Sequence, residues 1–331
     1  MWRPCLLAAV MTSLIGNAAF AADSRSFTDP EKAGPDFKIQ GEYQGTVKTP
    51  DQEMKVGAQV IALGDGKFHG VFLIGGLPGD GWRQGDPQIA SDSETVDGVI
   101  TFAGDAGTAK IVDGKLTVHD LTGDEIGTME KVERKSPTLG AEPPAGAMVL
   151  FGGKSADLAN WKGGKIVEDD LLLAGTRSSK DDFQDFTLHM EFRTPFVPSA
   201  RGQGRGNSGL YLQDRYECQV LDSFGLEGLD NECGGFYQLK SPDVNMCYPP
   251  LSWQTYDIDF TAARFDGDKK VKNARVTVKH NGVTIHDDYE LPKLTPGGAP
   301  TEEPGKGPYK LQEHGNPVTY RNIWVVEKPA E

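Results

Sequence analysis

The chain has 331 residues, 41 of them glycine, and a formal net charge of -14 at pH 7. Its length suggests two domains and is ample for a buried core. The charge argues against nucleic acid or an anionic membrane surface as a partner, and abundant glycine with little helical apolar periodicity points to a turn-rich, all-β chain.

Residues 1–22 have the pattern of a secretory signal. Arg3 supplies the positive end, residues 6–15 a short apolar run, and Ala19-Phe20-Ala21 a small-residue cleavage site. The run is too short to span a membrane, and Cys5 sits too early for lipid attachment. The expectation is an exported protein, periplasmic or extracellular. Cleavage removes Cys5 and leaves Cys218, Cys233 and Cys247, an odd number. Cys233 and Cys247 lie in one loop region and are expected to form a disulfide. Cys218 has the apolar parity of its strand and is expected as a buried, inert thiol.

From residue 37 to 135 short strands alternate with turns. Strands are expected at 41–46, 55–63, 67–73, 94–102, 108–112, 115–120 and 126–131. Asp113-Gly114 between apolar runs is a two-residue hairpin signal. The glycine-rich run 75–82 lacks the lysine and following helix of a phosphate loop and is expected as a surface loop. His69 and His119 stand singly on strands and are expected to be structural. The segment predicts a small β-sandwich or barrel with no catalytic set.

Residues 136–147 are a linker by composition, and a second domain runs from 148 to 328. In 186–193, Phe186, Leu188, Met190 and Phe192 take one face and Thr187, His189, Glu191 and Arg193 the other. Residues 206–225 carry the densest polar row. Asn207, Tyr211, Gln213, Arg215, Glu217 and Gln219 share one parity; Leu210, Leu212, Tyr216, Cys218 and Val220 share the other. Amides, a carboxylate and aromatic rings in line suit the hydroxyls and C–H patches of a sugar. Residues 225–250 form a long loop, 252–261 a strand, and Asn281-Gly282 a hairpin turn. His280 and His286 flank that hairpin and are expected to be solvated. Residues 292–308 form a Pro/Gly-rich loop, and two strands at 309–314 and 318–326 close the chain. Such a pattern predicts an antiparallel sandwich of jelly-roll type, with one sheet bent into a polar groove.

Several of these motifs, in order, resemble one family. They are Gly206-Asn207-Ser208-Gly209-Leu210-Tyr211, Tyr216-Glu217-Cys218-Gln219-Val220-Leu221-Asp222-Ser223, Trp253-Gln254-Thr255-Tyr256-Asp257, the 274–282 hairpin, and Leu311-Gln312-Glu313-His314-Gly315-Asn316 followed by Tyr320-Arg321-Asn322-Ile323-Trp324. Over residues 148–328 the chain resembles the 3-keto-disaccharide (3-keto-glycoside) hydrolase domain, which has a concanavalin A-like jelly-roll fold. The resemblance implies attack on a sugar already oxidised at C3, where the ketone acidifies the C2 proton. That chemistry needs a base near the working pH and an electrophile at the carbonyl oxygen, and a divalent metal ion could be that electrophile.

The candidates follow from the polar rows. Glu217, flanked by Arg215 and Gln219, is the first choice as base or metal ligand, and His314 at a strand end is the second, as base, acid or ligand. Glu191 joins them if its strand neighbours the central one. Arg215 is a candidate for the carbonyl or enolate oxygen. Asn207, Tyr211, Gln213, Gln219, Trp253 and Gln312 are candidate sugar contacts. Two other readings compete: a two-carboxylate glucanase, which lacks its acid pair because Asp222 has the wrong parity after Glu217, and a non-catalytic carbohydrate-binding module.

Overall fold

A computed structural model describes residues 26–179, 183–301 and 305–329. The segment read as an export signal lies outside the described residues. The all-β expectation holds: a closed barrel comes first, then two sheets forming a sandwich, and among the described residues helix is confined to short turns such as Gly34–Ile39.

Eight strands close the barrel: Gly41–Lys48, Glu53–Gly64, Lys67–Ile74, Gln88–Val96, Val99–Gly104, Gly107–Val112, Lys115–His119 and Glu125–Val132. The pairing is antiparallel throughout, and the last strand returns to the first. The strand expected at 94–102 is in fact two, folded back at Asp97-Gly98. Both residues there have positive φ (49° and 80°), as have Asp113 and Gly114 (48° and 79°). Aspartate and glycine tolerate that conformation, which a type I′ turn requires.

The second unit holds an eight-stranded and a five-stranded sheet. The larger runs Ile166–Val167, Leu171–Leu173, Thr319–Glu327, Phe186–Arg193, Gln254–Thr261, Ala274–His280 and Val283–Leu291, with Met148–Phe151 paired beside Thr319–Glu327. The smaller runs Trp161–Lys162, Thr176–Ser178, Lys310–Leu311, Ser208–Leu212 and Tyr216–Val220. Phe186, Leu188, Met190 and Phe192 share one core with Leu210, Leu212, Tyr216, Cys218 and Val220. Because side chains alternate along a strand, the polar rows of these two strands must face away from each other. The expectation that Glu191 could share a groove with Glu217 is therefore corrected: the two lie on opposite sides of the sandwich.

The outer face that carries Glu191 is covered by the connection between the units. Ser136 Oγ lies 2.6 Å from Thr255 Oγ1, and Thr138 donates to Asp257 at 2.6 Å. The Gly140 N–H donates to Glu191 at 2.6 Å, and the Ala141 carbonyl accepts from Asn322 and from the Trp324 indole. Beneath this strap His189, fully buried and stacked on Trp324, sits 2.6 Å from Asp257 and 3.6 Å from Glu191.

The 75–82 run is a surface loop only in part, with Gly75, Gly79, Asp80 and Gly81 exposed. Leu77 and Trp82 are buried and join Ile61, Val71 and Leu73 in the core of the sandwich, so this edge of the barrel packs on the second unit. Two further corrections concern burial. Cys218, Cys233 and Cys247 are all free, buried thiols, so the expected Cys233–Cys247 disulfide is not formed. Cys233 instead lies 3.3 Å from the Tyr256 hydroxyl, and Cys247 faces the Leu221 carbonyl at 3.4 Å. His280 and His286 are not solvated but fully buried, bonded to Gln254 and to the Gly234 carbonyl. Burial lowers their pKa to about 3 and about 4, because a low-dielectric site disfavours the charged imidazole.

Candidate active site

The site is built on the hairpin of Ser208–Leu212 and Tyr216–Val220. Its tip holds Gln213 and Asp214 at φ 53° and 55°, and the Arg215 N–H returns to the Leu212 carbonyl at 3.0 Å. The resulting register sets Tyr211 opposite Glu217 and Gly209 opposite Gln219. Lys310–Leu311 pairs on the other side of Tyr211, and the Gln312 N–H continues this contact to the Gly209 carbonyl at 2.8 Å. The 295–297 segment closes a wall: Thr295 Oγ1 accepts from the Glu217 N–H at 2.7 Å, and the Pro296 carbonyl accepts from Tyr211 at 2.9 Å.

These elements enclose a cavity of about 160 Å³. Asn207, Tyr211, Glu217, Gln219, Gln312 and His314 all line it, so the structure brings six of the expected site residues together. His314 is exposed at the rim. Gln203, Tyr237, Pro296 and Gly297 complete the wall and were not expected. Tyr237 comes from the loop after the hairpin, where its N–H reaches the Glu217 carbonyl at 3.3 Å. Gln203 accepts from the side chains of Asn207 and Gln219 at 3.0 and 3.3 Å.

Glu217 dominates the electrostatics. It is 2% exposed, and its Oε2 accepts from the Tyr211 hydroxyl at 2.8 Å. Oε1 has no hydrogen-bond partner among the described residues. Burial raises its pKa to about 7, against the smaller lowering pulls of Tyr211 and of the Lys310 charge. Lys310 itself lies 4.4 Å from the centre of the Tyr211 ring and donates to the Gly297 carbonyl at 2.7 Å. A carboxyl poised near neutrality, in the wall of a cavity lined by amides, can move a proton to and from a bound molecule.

Four expected site residues lie elsewhere. Arg215 donates to Gln213 at 2.9 Å, and Gln213 donates to the Phe183 carbonyl at 2.8 Å. The left-handed pair at the hairpin tip breaks strand alternation, so these two brace the tip instead of continuing the polar row. Trp253 is stacked by the guanidinium groups of Arg321 (3.9 Å) and Arg193 (5.1 Å) and lines a separate cavity between barrel and sandwich. Glu191 is paired to Arg321 at 2.7 Å under the strap. Burial alone would raise its pKa, but His189, Asn322, Arg321 and the Gly140 N–H outweigh this and hold it at about 2.

The donor set does not fit a divalent ion bound in the ordinary protein manner. Among the described residues no three His, Cys, Asp or Glu side chains gather at one point, and in this cavity Glu217 and His314 are the only such side chains. Among the described residues no helix is long and apolar enough to cross a membrane.

Comparison with known proteins bears on the same half of the chain. No curated protein matches it. Among solved structures, a "putative glycosyl hydrolase" from Parabacteroides distasonis is 32% identical, with a TM-score of 0.50, and the match covers 56% of this chain and 85% of that one. A second protein so described from the same organism is 19% identical, with a TM-score of 0.38, and the match covers 55% of this chain and 94% of that one. Residues 146–326, the sandwich and the cavity within it, match the 3-keto-alpha-glucoside-1,2-lyase-like domain, and the chain belongs to that family.

Proposed function

We propose that the protein is an exported carbohydrate-active enzyme that cleaves 3-keto-glycosides, with Glu217 as the base. The observation that carries this reading is the unpartnered Oε1 of a buried carboxyl whose pKa lies at about 7. In a glycoside oxidised at C3, Oε1 takes the proton from C2. The electron pair of the C2–H bond passes toward O3 as an enolate, and the remaining side-chain N–H groups of Gln219 and Gln312 offer hydrogen bonds to that oxygen. The enolate then collapses: C1=C2 forms, the C1–O bond breaks, and its electrons leave with the aglycone. His314 at the rim, or solvent, supplies the proton the aglycone needs. Addition of water at C1, with the proton on Glu217 returned to C2, would complete a net hydrolysis.

The two-carboxylate glycosidase reading finds less support. Such enzymes hold two carboxyl groups about 5–9.5 Å apart across the scissile bond, whereas among the described residues Glu217 is the one acid lining this cavity. Asp222 is tied to Arg205 at 2.7 Å and fully buried.

The test is release of nitrophenol from a 3-keto-α-glucoside and from its unoxidised parent, with and without chelator, by the wild type and by Glu217→Gln. Release from the keto sugar alone, lost in the variant, is the expected result. Release from the parent sugar would favour a conventional glycosidase. Binding of both sugars without release would leave a carbohydrate-binding module and overturn the proposal.

A further inference from the structure

The barrel has a hollow that its own strand geometry does not explain. At one end the inward positions are packed: Tyr43, Phe68, Ile100, Leu116 and Met129 are at most 1% exposed. At the other end Ser91, Gly104, Gly107 and Ala109 take the inward positions and leave a cavity of about 240 Å³. Val47, Met54, Val56, Phe72, Ile74 and Phe102 form its walls. Ile89 at the mouth is 45% exposed, and Met54, Ile74, Val118 and Ile126 are only partly covered. Gly107 must be glycine, since at φ 147° a Cβ would stand 2.0 Å from the His119 carbonyl. Gly104 need not be: its φ is ordinary, and a Cβ there would meet nothing nearer than 3.7 Å. A side chain could fill this end, and the sequence places none.

We propose that the barrel is a binding site for a small neutral aromatic alcohol, distinct from the sugar cavity. Eight-stranded barrels either fill their interior with side chains or hold one small ligand, and this one does the first at one end only. A dry apolar cavity of about 150 Å³ accepts benzene, so the volume here suits a substituted ring. Among the described residues no Asp, Glu, Lys or Arg lines the hollow, which argues against a charged ligand, because an unpaired buried charge is costly. Phe72 and Phe102, edge to face at 5.6 Å, offer a ring its preferred contacts. The polar lining groups are Thr49, Ser91, Thr108 and His119. Thr49 is bonded to Gln52, and His119 to Thr117 and the Gly123 carbonyl, so Ser91 and Thr108 fix the orientation: the apolar body enters and the hydroxyl bonds to one of these two.

The probe is 4-methylphenol, titrated calorimetrically into the whole protein, with glycerol as a polar control. Saturable binding of 4-methylphenol alone is expected, unchanged in Glu217→Gln and weakened at least tenfold in Ala109→Leu, which fills the hollow. Gly104→Leu is the second filling variant and decides the matter should Ala109→Leu not fold. No saturable binding at millimolar probe would overturn the proposal. So would undiminished binding in a folded filling variant, or loss in Glu217→Gln, which would put the probe in the sugar cavity. Release of nitrophenol from the keto sugar reports on the other site, so either proposal can fail alone.

Discussion

Gly209 makes room for Glu217. The two sit diagonally on the polar face of one hairpin, and a Cβ on residue 209 would stand 2.1 Å from Oε1 of Glu217 and 2.9 Å from its carboxyl carbon. Gly209 has no positive φ, so its backbone would accept alanine. The carboxylate is what forbids a side chain there.

Gly209→Ala is therefore expected to push the Glu217 carboxyl aside with the hairpin intact. Misplacing a reacting group by about 1 Å can cost on the order of a hundredfold in rate, while overpacking typically costs about 1–3 kcal/mol of stability. Turnover of the keto sugar should fall by about that factor, with cooperative unfolding retained. Full activity in this variant would remove Oε1 from the reaction.

Glu217→Gln separates function from stability. Turnover should fall by about a hundred- to ten-thousand-fold, the usual worth of a positioned base. Stability should move the other way. The folded pKa of about 7 lies above the ordinary carboxyl value, so the folded state binds its proton more tightly than the unfolded chain. The contribution of Glu217 is most favourable below about pH 4.3 and is lost as pH rises toward 7. Denaturant melts at pH 5 and pH 8 should show the glutamine variant gaining on the wild type, by up to roughly 3 kcal/mol at the higher pH.

Much of this site was legible in the sequence. The alternation from Asn207 to Gln219 separated core from polar face, and Asn207, Tyr211, Glu217 and Gln219 meet at one cavity because both arms of the hairpin keep that alternation, with Gln312 and His314 joining them from just past the strand paired beside Tyr211. Reading failed where a residue's neighbours come from distant chain. Arg215 and Gln213 left the row because the tip adopts left-handed backbone. Glu191 has the same chemistry and alternation as Glu217, and only sheet order, which alternation does not encode, puts it on the opposite face. Tyr237 and Gln203 sit in loops without period, so nothing local marked them. Asp97-Gly98 carried the same hairpin signal as Asp113-Gly114 and was hidden only by a continuous run of strand-forming residues around it.

Tyr211 sets the pH at which the base works. Its hydroxyl bonds to the ionised form of Glu217 and so pulls the carboxyl pKa down, against burial. Tyr211→Phe removes that pull. A hydrogen bond to a charged group contributes about 1.5 kcal/mol or more, so the acid limb of kcat/KM should move up by about one pH unit. Lys310→Met should move it in the same direction. An unmoved limb in both variants would assign it to another group.

Glu191→Gln tests whether this carboxylate holds the strap and takes no part in the chemistry. Its carboxylate holds Arg321, Asn322 and the strap at Gly140, away from the sugar cavity. Removing one partner of a buried pair costs about 3–5 kcal/mol, discounted here to about 1–3 kcal/mol because Arg321 is 35% exposed. With its pKa held at about 2, Glu191 stabilises the fold above about pH 4.3, and that stability is lost as pH falls through about 2. The variant should melt earlier at neutral pH, be cut faster by protease in the 136–147 strap, and keep wild-type kcat. A collapse of kcat in the folded variant would return Glu191 to the catalytic set.

The cysteines give a check that is independent of activity. Cys218, Cys233 and Cys247 are each at most 1% exposed and unbridged, and burial pushes the Cys218 and Cys247 thiols well up from their ordinary value. A buried thiol held in its neutral form reacts slowly, since the thiolate is the nucleophile. Burial acts the same way on Cys233, but hydrogen bonds with Cys247 and Tyr256 outweigh it and lower that thiol, so Cys233 is protected by inaccessibility alone. A thiol-specific reagent should leave all three untouched in the native protein and label all three in denaturant without reductant. Labelling of Cys218 alone after unfolding, with Cys233 and Cys247 appearing only once reductant is added, would restore the disulfide the sequence suggested.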